Sequence, residues 1–95
     1  DSSPTHYSEE GGAINSVISN GCLIEGTIEN SVIGRGCTIK KGANIKNCVI
    51  LSNVTIGEDV HAENLVIDRN AKLTKVKEVV ADSETPSYVK RYDVI

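Results

Sequence analysis

The chain has 95 residues, 39% hydrophobic but only 3% aromatic, with no Phe, Trp or Met, so it is one small domain that cannot fill a compact core with large rings. Its formal net charge of -3 gives no electrostatic footprint for nucleic acid or an anionic membrane. No apolar run reaches the length of a spanning helix, and the first residues lack the basic and apolar regions of a signal peptide, which makes a soluble, cytoplasmic protein the expectation.

Residues 1–12 show no aliphatic periodicity and read as a linker, its first few residues expected to be disordered. From residue 13 to 75 the pattern changes. Aliphatic residues recur every five or six positions through Ala13, Ile18, Ile24, Ile28, Ile33, Ile39, Ile45, Ile50, Ile56, Ala62, Ile67 and Leu73, with a coil period of seventeen. That spacing fits neither an amphipathic helix nor an alternating strand, and predicts a solenoid of narrow coils. Two positions before each ladder residue lies a second, mostly small row: Ser16, Cys22, Gly26, Ser31, Cys37, Ala43, Cys48, Val54, Val60, Leu65 and Ala71. Side chains alternate along a strand, so this row also faces inward.

Turn residues stand in register between these short strands. One column reads Asn15, Asn30, Asn47, Asn64, another Gly21, Gly36, Asn53, Asn70, and Gly42 and Asp59 form a third. These residue types tolerate positive φ at least cost, which predicts three sharp corners per coil and a three-sided prism. The first coil is two residues shorter, because Ile24 and Ile28 are only four apart, and the corner Glu25 to Thr27 is expected to be tighter. Stacked at the usual strand spacing, roughly four coils make a prism about 15 to 20 Å tall. Residues 76–95 leave the ladder; they read as a C-terminal cap and closing strand that covers the exposed edges of the last coil.

The runs Ile28 to Ile33, Ile39 to Ile45 and Val54 to Asp59 resemble the imperfect hexapeptide repeat of left-handed parallel β-helices. More narrowly, Asn20 to Ile33 resembles the start of the C-terminal domain of bacterial glucose-1-phosphate adenylyltransferases. Ser3 to Tyr7 is similar to the linker that precedes that domain, and Pro86 to Ile95 to its closing strand. The combination looks nearer to the regulatory GlgD-type subunit of glycogen biosynthesis than to the catalytic subunit. The resemblance implies an all-β, left-handed parallel β-helix; the spacing alone fixes triangular coils but not their hand. It also implies a non-catalytic assembly and regulatory domain within a larger subunit that makes ADP-glucose and pyrophosphate from ATP and glucose 1-phosphate. ATP and Mg²⁺ would serve that parent, with no cofactor in this segment. The implied partners are a preceding N-terminal nucleotidyltransferase domain, a homo- or hetero-oligomer with catalytic subunits, and a sugar-phosphate effector. No Gly-rich phosphate loop occurs here, and the glycines follow corner spacing, so no catalytic residue is assigned. The rivals are a small hexapeptide acyltransferase and a free-standing β-helical scaffold.

Cys22, Cys37 and Cys48 all fall in the small inward row without a C-x-x-C spacing, which predicts buried free thiols and no metal site. His61 is the one ladder histidine that could act as the general base of an acyltransferase; with no orienting partner evident in the sequence, it is expected to be a solvated surface residue. Arg35, Lys40, Lys41 and Lys46 are interspersed with acids and read as a mixed exterior. Lys90 and Arg91 are assigned to effector binding, as the resemblance implies for basic residues near the C-terminus. The position before each ladder residue faces outward, and on one side it reads Val17, Val32, Val49, Val66, with Leu51 beside it. The other two sides read Leu23, Thr38, Thr55, Lys72 and Thr27, Asn44, His61, so the valine side is expected to be an interface with the catalytic domain or a second subunit.

Overall fold

A computed structural model of the chain describes residues 3–95. The disorder expected at the N-terminus falls in part on residues 1 and 2, outside the described residues. Fifteen short strands follow one another: β1 (His6–Tyr7), β2 (Gly12–Ile14), β3 (Val17–Ile18), β4 (Leu23–Ile24), β5 (Thr27–Glu29), β6 (Val32–Ile33), β7 (Thr38–Ile39), β8 (Asn44–Lys46), β9 (Val49–Ile50), β10 (Thr55–Ile56), β11 (His61–Glu63), β12 (Leu65–Ile67), β13 (Lys72–Leu73), β14 (Glu78–Val80) and β15 (Ser87–Val89). Every third strand pairs in parallel, giving three five-stranded sheets: A (β1, β4, β7, β10, β13), B (β2, β5, β8, β11, β14) and C (β3, β6, β9, β12, β15). The chain is a left-handed parallel β-helix.

The register follows the isoleucine columns. Ile24, Ile39, Ile56 and Leu73 align across sheet A, Ile18, Ile33, Ile50 and Ile67 across sheet C, and Ala13, Ile28, Ile45 and Ala62 across sheet B. From Ile24 to Leu73 the ladder residues are buried, and the small row between Cys22 and Ala71 is buried with them. Each buried isoleucine contributes about 2 kcal/mol of hydrophobic stabilisation, and its neighbours one coil above and below supply the packing that a wide core would draw from aromatic rings.

The polar members of the small row are satisfied within the stack. Ser16 Oγ donates to Ile14 O at 2.8 Å and accepts from Ser31 N at 3.0 Å; Ser31 Oγ donates to Glu29 O at 2.9 Å and accepts from Cys48 N at 3.0 Å. Around a second corner Thr5 plays the same part, donating to Ser19 O at 2.5 Å and accepting from Cys22 N at 3.2 Å. These bonds remove the cost of burying hydroxyls.

All ten corner residues named from the sequence adopt positive φ, from Asn30 at 51° to Gly42 at 79°. An eleventh is Tyr92 (φ 65°), whose N–H donates to Arg69 O at 3.1 Å as Asn53 N donates to Arg35 O and Asn70 N to Ser52 O. Tyr92 is thus the fifth member of the Gly21, Gly36, Asn53, Asn70 column, at a conformational cost of about 1–2 kcal/mol for a bulky residue. The corner between β4 and β5 has only Glu25 and Gly26 between its strands, where the next has Lys40 to Ala43.

The parallel sheets reach past residues 13–75 at both ends. His6 and Tyr7 pair with Leu23 and Ile24, extending sheet A into the linker. Beyond the ladder, Ala62 aligns with Val79, Ile67 with Val89, and Lys72 with Val94. The tail is therefore wound as a further coil. It departs from the period because residues 82–86 form an excursion between β14 and β15, closed by an antiparallel bridge between Asp82 and Thr85. Asn64 Nδ2, donating to Ala81 O at 2.7 Å, anchors its base.

Cys22, Cys37 and Cys48 are buried free thiols. Burial pushes the Cys37 thiol up from 9.0 to about 11 and raises that of Cys48 as well. A thiol reagent at neutral pH should label none of the three in the native chain and all three after denaturation; labelling of Cys37 at the denatured rate would contradict this packing. Because the folded chain keeps a proton that the unfolded chain releases, stability supplied by the neutral Cys37 thiol is present below pH 9 and is lost as pH rises toward 11.

Candidate functional site

Strand alternation turns one residue of each sheet C strand outward, and parallel register stacks those residues in a straight row. Val17 pairs with Val32, Val32 with Val49, Val49 with Val66, and Val66 with Tyr88. Val17 is 64% exposed, Val32 47%, Val49 41% and Tyr88 61%, and Val66 between the last two is half-buried, so the row lies on the surface except at Val66. Leu51, at the corner after β9, is exposed beside it. The valines expected at an interface are thus brought together, and Tyr88 prolongs them. The sequence hid Tyr88 because the excursion at residues 82–86 breaks the seventeen-residue spacing.

The other faces have a different character. The outward positions of sheet A read His6, Leu23, Thr38, Thr55 and Lys72. Sheet B turns out two rows, Gly12, Thr27, Asn44, His61, Glu78 and Ile14, Glu29, Lys46, Glu63, Val80. Sheet C alone presents an outward row with no fixed charge. A shallow groove of about 440 Å³, lined by Asn15, Ser16, Val17, Asn30, Ser31 and Val32, runs along its start, and Asn15 Nδ2 donates to Asn30 Oδ1 at its rim.

At the other end of the face the Tyr88 hydroxyl donates to Asp68 Oδ2 at 2.5 Å. The same bond holds the Asp68 carboxyl below its usual range and raises the Tyr88 phenol, because it favours the carboxylate and the protonated phenol. Lys90 and Arg91 are exposed on the turn after β15, and Arg69 and Arg91 both add to the depression of Asp68. The two proposed effector residues therefore share their corner with a carboxylate.

His61 does have an orienting partner. Its Nε2 lies 3.0 Å from Glu63 Oε1, two residues along β11 on the same face, a pairing that strand alternation could have suggested from the sequence. Beside it, Asn44 Nδ2 donates to Thr27 Oγ1 at 3.2 Å. Arg35, Lys40, Lys41 and Lys46 do not form a patch. Arg35 lies between sheets C and A, Lys40 and Lys41 lie between A and B, and Lys46 stands on sheet B between Glu29 and Glu63. Among the described residues no three His, Cys, Asp or Glu side chains converge as a metal site would require, and no helix is long and apolar enough to cross a membrane.

Residues 3–94 match the family model described as GlmU-like, C-terminal hexapeptide. Among curated proteins the chain is similar to a glucose-1-phosphate adenylyltransferase of Fervidobacterium nodosum, 46% identical over 67 residues that make up 70% of this chain and 16% of that protein. It is similar to the glycogen biosynthesis protein GlgD of Bacillus subtilis, 34% identical over 91 residues, 96% of this chain and 26% of that protein. A glucose-1-phosphate adenylyltransferase of Pasteurella multocida is 37% identical over 71 residues, 74% of this chain and 16% of that protein. The chain thus spans about a sixth to a quarter of the length of these relatives.

Proposed function

The chain belongs to the GlmU-like C-terminal hexapeptide family, and on that premise we propose that it is the non-catalytic assembly and regulatory domain of a glucose-1-phosphate adenylyltransferase subunit in glycogen biosynthesis. The exposed, uncharged valine row of sheet C carries this reading, because a surface of that kind is suited to covering by protein. Similarity to GlgD over 96% of the chain, tail included, favours the regulatory type of subunit.

In such a protein, synthesis of ADP-glucose from ATP and glucose 1-phosphate takes place in a separate nucleotidyltransferase region that holds ATP and Mg²⁺. Among the described residues no His, Cys, Asp or Glu side chains converge as a metal site requires, and no chemical step is assigned to them. Its part is to position the catalytic region and to relay a sugar-phosphate signal received at Lys90 and Arg91, in the cytoplasm.

Co-expression with a catalytic subunit tests the proposal. The unaltered chain should co-purify with it and change its rate of ADP-glucose formation. A Val32→Lys, Val49→Lys variant should fold but lose both effects, since each lysine would have to surrender its hydration to be covered. Unchanged association and unchanged rate in that variant would refute the role of the face. A sugar-phosphate response that survives replacement of Lys90 and Arg91 by alanine would refute the effector assignment.

A further inference from the structure

Two glycines of the first coil open a recess on the outer face of sheet B. The row that runs Gly12, Thr27, Asn44, His61, Glu78 lacks a side chain at its start, and a Cβ on Gly12 would meet nothing within 4 Å. Gly11 presses the turn at residues 8–11 onto the short corner beneath it, where a Cβ would strike Ile24 O, and so sets Glu10 as a wall of the recess. The space is about 280 Å³, and Ile14, Thr27, Glu29 and Asn44 complete its lining. Thr27 Oγ1 donates to Ala43 O at 3.5 Å, so toward Asn44 it accepts, and Asn44 Nδ2 donates to it at 3.2 Å. That fixes the amide and leaves Asn44 Oδ1 buried without a hydrogen-bond partner. Glu29 makes no ion pair among the described residues, although Lys46 follows it in its row. Glu10 meets Lys41 Nζ at 3.7 Å, in a neighbouring hollow formed with Ser8, Glu9 and Glu25.

We propose that this recess binds a small organic cation, a primary ammonium on a short aliphatic stem. Every side-chain polar atom left open in it is an acceptor, so the ligand must bring the donors, and the two carboxylates select a positive charge. An ammonium carries three N–H groups, matching Glu10, Glu29 and Asn44 Oδ1. A buried acceptor without a donor is rare in a folded protein, and a ligand N–H at this place satisfies it. The stem lies along the backbone of Gly12 and Ala13 and against the exposed side chain of Ile14. A bare metal ion does not suit the recess, since among the described residues no three His, Cys, Asp or Glu side chains converge. Lys41 shows the same chemistry from within the chain: its ammonium, on a four-carbon stem, already stands against Glu10 in the neighbouring hollow. The site lies on a different face from the valine row and does not depend on the adenylyltransferase reading.

Titration of the isotope-labelled chain with n-butylammonium at constant ionic strength, followed by amide NMR shifts, tests the proposal. The amides of Gly12, Thr27 and Asn44 should move together and saturate, with a dissociation constant of about 1–10 mM for so small a ligand. n-Butanol keeps the stem without the charge and should bind at least about tenfold more weakly. Gly12→Leu should abolish the saturable shifts and leave the rest of the spectrum in place, because its side chain starts into open space and fills the recess. Glu29→Gln should weaken binding about threefold to tenfold. If Gly12→Leu does not fold, Gly12→Ala narrows the recess with a Cβ that meets nothing and should weaken binding in the same direction. Shifts that stay linear to about 100 mM, an equal response to n-butanol, or undiminished binding in the folded Gly12 variant would overturn the proposal. None of these results bears on co-purification with a catalytic subunit or on ADP-glucose formation, which decide the adenylyltransferase reading.

Discussion

Replacing Gly26 with alanine should lower the stability of the chain by about 2–3 kcal/mol, read as a shift of the denaturant midpoint at constant slope. The backbone of Gly26 does not lie in the left-handed region, so the cost is not one of φ. It comes from the shortened corner between β4 and β5, which draws the chain inward until it touches the turn of the next coil. A Cβ at Gly26 would sit 2.5 Å from Ala43 O and 2.8 Å from Lys40 O. Both are backbone atoms held in place: Ala43 N donates to Lys40 O, and Ala43 O accepts from Thr27 N at 2.9 Å. Neither can withdraw without breaking a coil-to-coil bond. Gly12, which stacks against the same sheet, is the control. A Cβ there meets nothing within 4 Å, and Gly12→Ala should be neutral or stabilise by up to about 1 kcal/mol. Equal losses at the two glycines would mean that the corner yields and that close approach does not decide it.

Ile45→Ala should cost about 3–4 kcal/mol, whereas Val49→Ala should change stability by about 0.5 kcal/mol or less. The two residues are four positions apart, and only the direction of the side chain separates them. Ile45 is fully buried between Ile28 and Ala62, and the narrow prism has no large side chain that could swing into the space left behind. Val49 is 41% exposed and loses little packing. A domain of this length has a total stability of about 5–14 kcal/mol, so Ile45→Ala removes a substantial part of it. Comparable effects at both positions would show that the sheet C face is already covered in the sample.

The ladder of isoleucines and the three corner columns were legible because a solenoid repeats each structural demand at a fixed spacing. A buried position must be aliphatic in every coil, and a corner at positive φ must be Gly, Asn or Asp wherever that conformation is to be unstrained. The tail was not legible in the same way. From Val66 to Tyr88 the coil is five residues longer than from Val49 to Val66, so Tyr88 and Val89 fall out of phase although they occupy the same columns, whereas Val79, which precedes the excursion, keeps the spacing from Ala62. Tyr92 breaks the corner rule outright and gave no signal. Thr5 escaped notice because a single hydroxyl in a polar segment has no periodicity, yet it completes the row of Cys22 and Cys37. At the site, the valine row could be read from alternation alone. The recess over Gly12 needs the coils laid over one another in three dimensions.

Unequal coils also settle which stacking is the correct one. If every coil were alike, the chain could slip by one whole coil and still set isoleucine on isoleucine and asparagine on asparagine, an error that burial alone would not punish. The short corner at Gly26 fits only against the Lys40 to Ala43 turn, and the long excursion at residues 82–86 is accommodated only beyond the last complete coil. A slipped threading would place a full-length corner where Gly26 leaves no room and carry the excursion away from its anchor on Asn64. The two irregularities act as stops at either end of an otherwise self-similar array, so that a sequence built from repetition has one ground state rather than a family of offset ones.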